Sequence, residues 1–178
     1  MHLRPFVGLI GPSGSGKTTL ITEALKQLPN QIRMMKSVTT RPRRGPEDDL
    51  SYEFVTREDM LARRDAGHLV NFSEYAGNFY GFDRRVLDET LAHHAGLQAI
   101  VESAVEPIRA GGYTLCIVRI IPEGIINQRS SDRAHADQAR AKEHIEADLI
   151  LHNRFEPGGL AMSTQTFIAF LRGLTNSI

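Results

Sequence analysis

The sequence has no excess of charge of either sign: 21 lysines and arginines stand against 21 aspartates and glutamates in 178 residues. That balance argues against a general binder of nucleic-acid polymers or of membrane surfaces, both of which call for a basic excess. There is one cysteine, Cys116, so no internal disulfide can form. It lies in the apolar run YTLCIVRII, where a buried inert thiol and a reactive one are the two readings. No apolar run reaches the roughly 18 residues of a membrane span. The opening MHLRPFVGLIGPSG has too short an apolar stretch for a secretory signal before it meets a glycine-rich loop. Low-complexity tracts and internal repeats are lacking, and the seven histidines join no His/Cys/Asp set with zinc spacing. These absences leave the expectation of a soluble cytoplasmic chain, of single-domain size and long enough to bury a core.

What is present is an alternation of apolar runs and amphipathic stretches. FVGLI (6–10) ends at a Gly/Pro/Ser loop and reads as a buried strand. KTTLITEALKQL (17–28) repeats apolar residues at Leu20, Ile21, Ala24, Leu25 and Leu28, a helical spacing halted at Pro29-Asn30. A second helix is predicted over 57–66, capped by Thr56 and stopped by Gly67. A third, over about 83–94, carries Val86, Leu87, Thr90 and Leu91 on one face. HLVNF (68–72) and NFYGF (78–82) read as short strands separated by SEYAG. LQAIV (97–101), TLCIVRII (114–121) and DLILH (148–152) read as central strands, and TQTFIAFLRGL (164–174) as a closing helix.

Strands alternating with helices predict an α/β fold with a parallel sheet flanked by helices. Residues 36–82 break the rhythm and are expected to form an inserted strand-rich lobe between core segments 1–35 and 83–178 of one domain. The stretch RSSDRAHADQAR (129–140) loses apolar content, which predicts an exposed lid.

The loop GPSGSGKT fits G-x-x-x-x-G-K-[ST] between a predicted strand and a predicted helix. Its glycines let successive backbone N–H groups turn inward around phosphate oxygens, where the helix adds its N-terminal dipole. The candidate residues for binding a nucleoside triphosphate are therefore Gly11, Ser13, Gly14, Ser15, Gly16, Lys17, Thr18 and Thr19. Lys17 can reach the β- and γ-phosphates, and the Thr18 hydroxyl can ligate Mg²⁺.

A second concentration of charge stands at SVTTRPRRGPEDDLSYEF (37–54), with three arginines in four positions, then three acids, then a tyrosine. Two readings stay open on local grounds. The arginine forks can grip a second phosphate, that of an acceptor. They can equally form a solvated basic turn paired with Glu47, Asp48 and Asp49.

In order and spacing, GPSGSGKTTL, SVTTRPRRGPEDDLSYEF and GHLVNFSEYAGNFYGF together resemble the guanylate kinase family, strongly over 6–82 and collinearly to about residue 153. The resemblance implies a P-loop kinase that moves the γ-phosphoryl of Mg-ATP to GMP. At matching positions it implies that Arg41, Arg44, Tyr52 and Tyr80 hold the acceptor's phosphate, with Ser37 near its base. It implies that Arg129, Arg133 and Arg140 close over the transferring group, the competing reading being ordinary surface arginines. Asn153 falls where the family has an asparagine near the adenine.

The chain departs from the family around the acceptor's base. Asn71 stands where a glutamate is typical, Phe82 where a small hydroxyl residue is expected, and Ala104 where a second carboxylate is expected. Glu102 keeps the first carboxylate one methylene longer, a candidate for the base, ribose or metal shell. Glu74 is either a substitute for the missing carboxylate or a solvated loop acid.

GMP is the leading acceptor. A ribose 1,5-bisphosphate kinase and a non-catalytic guanylate-kinase-like binding domain are the alternatives, the second opposed by the complete loop with Lys17 and Thr18. The oligomeric state stays open.

Overall fold

The computed structural model describes residues 3–123, 145–154, 156 and 158–176. The lid arginines Arg129, Arg133 and Arg140 lie outside the described residues.

A mixed α/β architecture is built on a five-stranded parallel sheet. Its strands are β1 (Phe6–Ile10), β2 (Ile32–Met34), β7 (Ala95–Ala99), β8 (Leu115–Glu123) and β9 (Leu149–Arg154), in the order β2-β7-β1-β8-β9. All five residues of β1 are buried, as a strand covered on both faces by helices requires. On one face Val7, Leu9, Val118 and Ile120 pack against Leu20, Ile21 and Ala24 of α1 (Lys17–Gln27). Phe167, Ile168 and Leu171 of α5 (Gly159–Asn176) complete that layer. On the other face Phe6, Ile10 and Ile117 meet Leu87 and Leu91 of α3 (Arg84–His93) and Val105 and Ile108 of α4 (Val105–Ala110).

Residues 37–83 form a second, four-stranded sheet, order β4-β3-β6-β5, from β3 (Ser37–Thr39), β4 (Tyr52–Phe54), β5 (Leu69–Tyr75) and β6 (Asn78–Asp83). Directly paired residues share a face. Val38, Phe72 and Phe79 therefore line one side and close over Met60 of α2 (Arg57–Asp65), which is fully buried. Burying Met60 contributes about 1.5–3 kcal/mol, and Thr56 caps the helix by accepting from the Asp59 N–H at 3.1 Å. The opposite side carries Ser37, Thr39, Tyr52, Phe54, Ser73 and Tyr80. Period-two alternation thus turns Val38, Phe72 and Phe79 to the helix and the hydroxyl-bearing residues to the opposite side, where Ser37, Thr39 and Ser73 are buried.

Several elements differ from expectation. The strand predicted to end at Phe72 continues to Tyr75, because Ala76 and Gly77, both at positive φ (48° and 73°), make a two-residue turn that keeps Tyr75 opposite Asn78. β2 has only three residues and too little pattern to be read from sequence; it is held by pairing to β7. β7 begins at Ala95, where its N–H donates to the Gln31 carbonyl at 3.0 Å. α5 starts five residues earlier than predicted, and Val86, expected on the buried face of α3, is exposed. Among the described residues, no helix is long and apolar enough to cross a membrane.

Candidate functional site

The glycine loop follows β1 at the carboxyl edge of the sheet. Gly14 and Gly16 have φ of 82° and 94°, values that side-chain-bearing residues rarely adopt, and Gly16 caps α1. The Lys17 ammonium folds along the loop, donating to the carbonyls of Gly11 and Pro12 at 2.7 Å each, with Ser15 Oγ at 3.4 Å. Ser15 is buried, whereas Thr18 and Thr19 are exposed in the first turn of α1.

Asn153, expected beside the adenine, has its side chain under the loop. It is fully buried, and its Nδ2 donates to the Ser15 carbonyl at 2.8 Å. A Cβ on Gly16 would lie 2.4 Å from that same nitrogen. Gly16→Ala therefore meets both a steric clash and a left-handed φ, and is expected to destabilise the protein by about 2–4 kcal/mol. Thermal melts and ATP titration of the variant check this; an unchanged melting point and affinity would count against the packing.

The arginine segment is organised by Asp48. Its Oδ1 pairs with Arg41 Nη2 at 2.9 Å, and its Oδ2 accepts from the Arg44 N–H at 2.8 Å. The Arg41 side chain is only 5% exposed, and its guanidinium lies 4.7 Å from the Tyr52 ring centroid and 5.7 Å from that of Phe54. Burial pushes the Arg41 guanidinium down, but the bond and charge of Asp48 outweigh it and hold the group above its usual range. Burial likewise pushes the Asp48 carboxyl up, and the bonds from Arg41 and Arg44 with their charges reverse this and lower it. Arg43, by contrast, makes a solvated pair with Asp49 at 2.9 Å. The two readings of the cluster thus divide by residue: Arg41 is held in a built environment, and Arg43 is a surface cation.

Tyr52 and Tyr80 stand edge to face, centroids 6.4 Å apart, and Tyr75 lies 6.3 Å from Tyr80. Burial raises the phenols of Tyr52 and Tyr80, so both stay protonated and able to donate near neutrality. The two threonines before Arg41 root the hook in the neighbouring strand. Thr39 Oγ1 donates to the Phe79 carbonyl at 2.9 Å and accepts from the Arg41 N–H at 3.1 Å; Thr40 Oγ1 accepts from the Phe79 N–H at 2.9 Å.

Asn71 sits in a register shift of β5 against β6, between Leu69 and Phe72. Its Oδ1 accepts from the Phe82 N–H at 3.0 Å, replacing the ladder partner that the irregularity removes. Its Nδ2 lies 3.5 Å from Ser73 Oγ, too long for a firm bond. The one acceptor oxygen of the side chain is therefore committed to the backbone. Asn71→Leu, which strands the buried Phe82 N–H, is expected to cost about 1–3 kcal/mol. Asn71→Asp, which keeps an acceptor, should cost less in urea unfolding; equal losses would contradict the bulge role.

Phe82 is a core residue, edge to face on Phe6 at 5.2 Å, and Ala104 is buried in the same cluster. Ser37 Oγ donates to the Gly81 carbonyl at 3.2 Å. Glu102 opens a 3-10 turn after β7 that packs against β5; its carboxylate lies 3.9 Å from Arg119 Nη1. Glu74 is exposed.

The hook is tied to the same edge of the core sheet as the loop. Gln98 pairs with Gly8 and precedes the last residue of β7. Its Nε2 donates to the carbonyls of Met35 at 2.6 Å and Ser51 at 2.9 Å, the latter adjoining Tyr52. Sequence reasoning named Asp48 among three acids paired with the arginines without singling it out, and it missed Gln98, since neither motif nor periodicity marks partners 47 and 63 positions away. The doubled threonine of TTRPRR was the local signal available for Thr39 and Thr40.

The family model described as guanylate kinase matches residues 2–147. The guanylate kinase of Synechococcus sp. (strain JA-3-3Ab) is 39% identical over 99 residues, covering 55% of this chain and 45% of that protein. That of Desulfitobacterium hafniense (strain Y51) is 38% identical over 99 residues, covering 55% and 48%. The chain thus spans about half the length of these two relatives. A second Synechococcus guanylate kinase (strain PCC 6301) is 32% identical over 144 residues, 78% of each chain. The crystal structure of guanylate kinase from Anaplasma phagocytophilum superposes with a TM-score of 0.70 at 21% identity, over 97% of this chain and 87% of that one. At that identity the likeness shows the fold.

Proposed function

This chain belongs to the guanylate kinase family, and on that premise we propose that it transfers the γ-phosphoryl of ATP to the phosphate of GMP. The observation that supports the reading is a glycine loop carrying the Lys17 ammonium at the carboxyl edge of the sheet, with Arg41 and the phenols of Tyr52 and Tyr80 grouped on a segment tied to the same edge through Gln98. Gly11, Ser13, Gly14, Ser15, Gly16, Lys17, Thr18 and Thr19 hold the triphosphate, and Asn153 braces their loop from below. Arg41, Arg44, Tyr52 and Tyr80 hold the acceptor's phosphate; two forks and two phenol O–H donors suit a dianion. Ser37 and the Asn71 amide N–H₂ face the acceptor's base, with Glu102 at the junction of core and lobe. Arg129, Arg133 and Arg140 add positive charge over the transferring group.

Chemistry of this kind is positioning and charge neutralisation, with no covalent enzyme intermediate. The exposed Thr18 hydroxyl is a hard oxygen donor of the kind Mg²⁺ takes, and the described residues hold no group of three or more His, Cys, Asp or Glu suited to a metal. A magnesium ion carried with the phosphates therefore fits the residues present, and when bound it neutralises phosphate charge. The division of residues 36–82 as an acceptor lobe and 129–140 as a lid, and a cytoplasmic setting with ready ATP, belong to the same proposal.

The test is ADP release with ATP and each of GMP, AMP, CMP, UMP and ribose 1,5-bisphosphate. The expected result is release that depends on GMP above the other nucleotides. Release with the sugar phosphate alone, or with no acceptor at all, would overturn the proposal.

A further inference from the structure

Gln98 is a buried amide, 2% exposed, on β7 of the core sheet, bonded to the two segments that lead into β3 and β4. An uncompensated amide there would be costly, and this one is compensated at both ends. Its Nε2 donates to Met35 and Ser51, and its Oε1 accepts from the Ala99 N–H at 2.8 Å. Both carbonyls it grips belong to segments leading into the hook. Met35 joins β2 to β3, and its own N–H donates to the Leu97 carbonyl at 3.0 Å. Ser51 precedes Tyr52, and its carbonyl also accepts from the Ser37 N–H at 2.9 Å. One side chain on β7 therefore fixes the starts of β3 and β4 together. Ser37 and Tyr52, assigned above to the acceptor, lie one bond and one residue from Ser51.

We infer that Gln98 is a positioning residue for phosphoryl transfer: through Met35 and Ser51 it sets where the arginine–tyrosine cradle stands relative to the glycine loop. The inference rests on the assignment of Arg41 and Tyr52 to the acceptor's phosphate. Gln98 touches neither substrate in this account. A packing role alone predicts a loss of stability with the substrates affected alike. A positioning role predicts a split, because the glycine loop is built on β1 and α1 and does not depend on the amide.

Two variants test this, each assayed below its own melting point. Gln98→Leu keeps the apolar bulk and removes the donors. Gln98→Glu keeps the shape and turns an oxygen toward two carbonyls, a placement that favours the protonated acid, whose O–H can donate again. Both are expected to raise KM for GMP about tenfold or more with KM for ATP little changed. For Gln98→Glu, KM for GMP should fall toward the wild-type value between about pH 8 and pH 6, a recovery absent from Gln98→Leu. An unchanged KM for GMP, an equal rise for both substrates, or failure of both variants to fold at 25 °C would overturn the assignment. If the wild type itself uses no GMP, the functional reading fails first and this inference with it; if the wild type is active and the variants match it, the inference fails alone.

Discussion

Lys17→Ala is expected to lower phosphoryl transfer by about 10²–10³-fold or more while leaving a folded protein. The ammonium lies across the glycine loop, bonded to the Gly11 and Pro12 carbonyls and within 3.4 Å of Ser15 Oγ, and in the proposed function it is the positive charge that meets the triphosphate. Its contribution to the folded state is small by comparison. The side chain is partly exposed, and its bonds to the Gly11 and Pro12 carbonyls are local, each worth about 0.5–1.5 kcal/mol net. The loop's shape is fixed independently by the glycine conformations and by Asn153 on the Ser15 carbonyl. A melting curve beside a single-turnover assay separates the two effects. A variant that stays folded and turns over at the wild-type rate would remove Lys17 from the chemistry.

Arg41→Ala is the second large effect and falls on the other substrate. The guanidinium is 5% exposed and joined to Asp48, with the Tyr52 ring below it. Under the proposed function its removal takes one fork from the acceptor's phosphate, and it leaves the Asp48 carboxylate bonded to the Arg44 N–H. A negative charge then faces a dianion. KM for GMP is expected to rise about 10²-fold, with KM for ATP little moved. Stability should fall by about 1–3 kcal/mol, below the full cost of breaking a buried pair because Asp48 is 15% exposed. Arg41→Ala combined with Asp48→Asn relieves the repulsion and should recover part of the loss. Equal effects on both substrates, or no benefit from the second substitution, would contradict the assignment. Lys17 and Arg41 together form a crossed pair, each variant disabling one cradle and sparing the other.

The local parts of this arrangement were legible in the sequence. The glycine loop between strand and helix, the Thr56 cap and the arginine–tyrosine segment are written in consecutive residues, where spacing maps directly onto geometry. What escaped was set by partners far along the chain. Asn71 resembled a degraded base contact, yet its oxygen repairs a strand irregularity visible only once β5 and β6 are paired. Phe82 looked misplaced beside the acceptor until Phe6, 76 positions away, proved to be its partner. β2 has three residues and no period of its own to read. Gln98, in the strand run LQAIV, broke an apolar pattern without announcing what it would bond.

The most direct measurement of the two-cradle claim is calorimetric titration with adenosine and guanosine joined 5′ to 5′ through a chain of phosphates. One molecule is expected to bind per chain, about 10²-fold or more tighter than ATP alone, with Lys17→Ala and Arg41→Ala each weakening it. An affinity no better than that of ATP, untouched by Arg41→Ala, would mean that the two cradles do not serve one reaction.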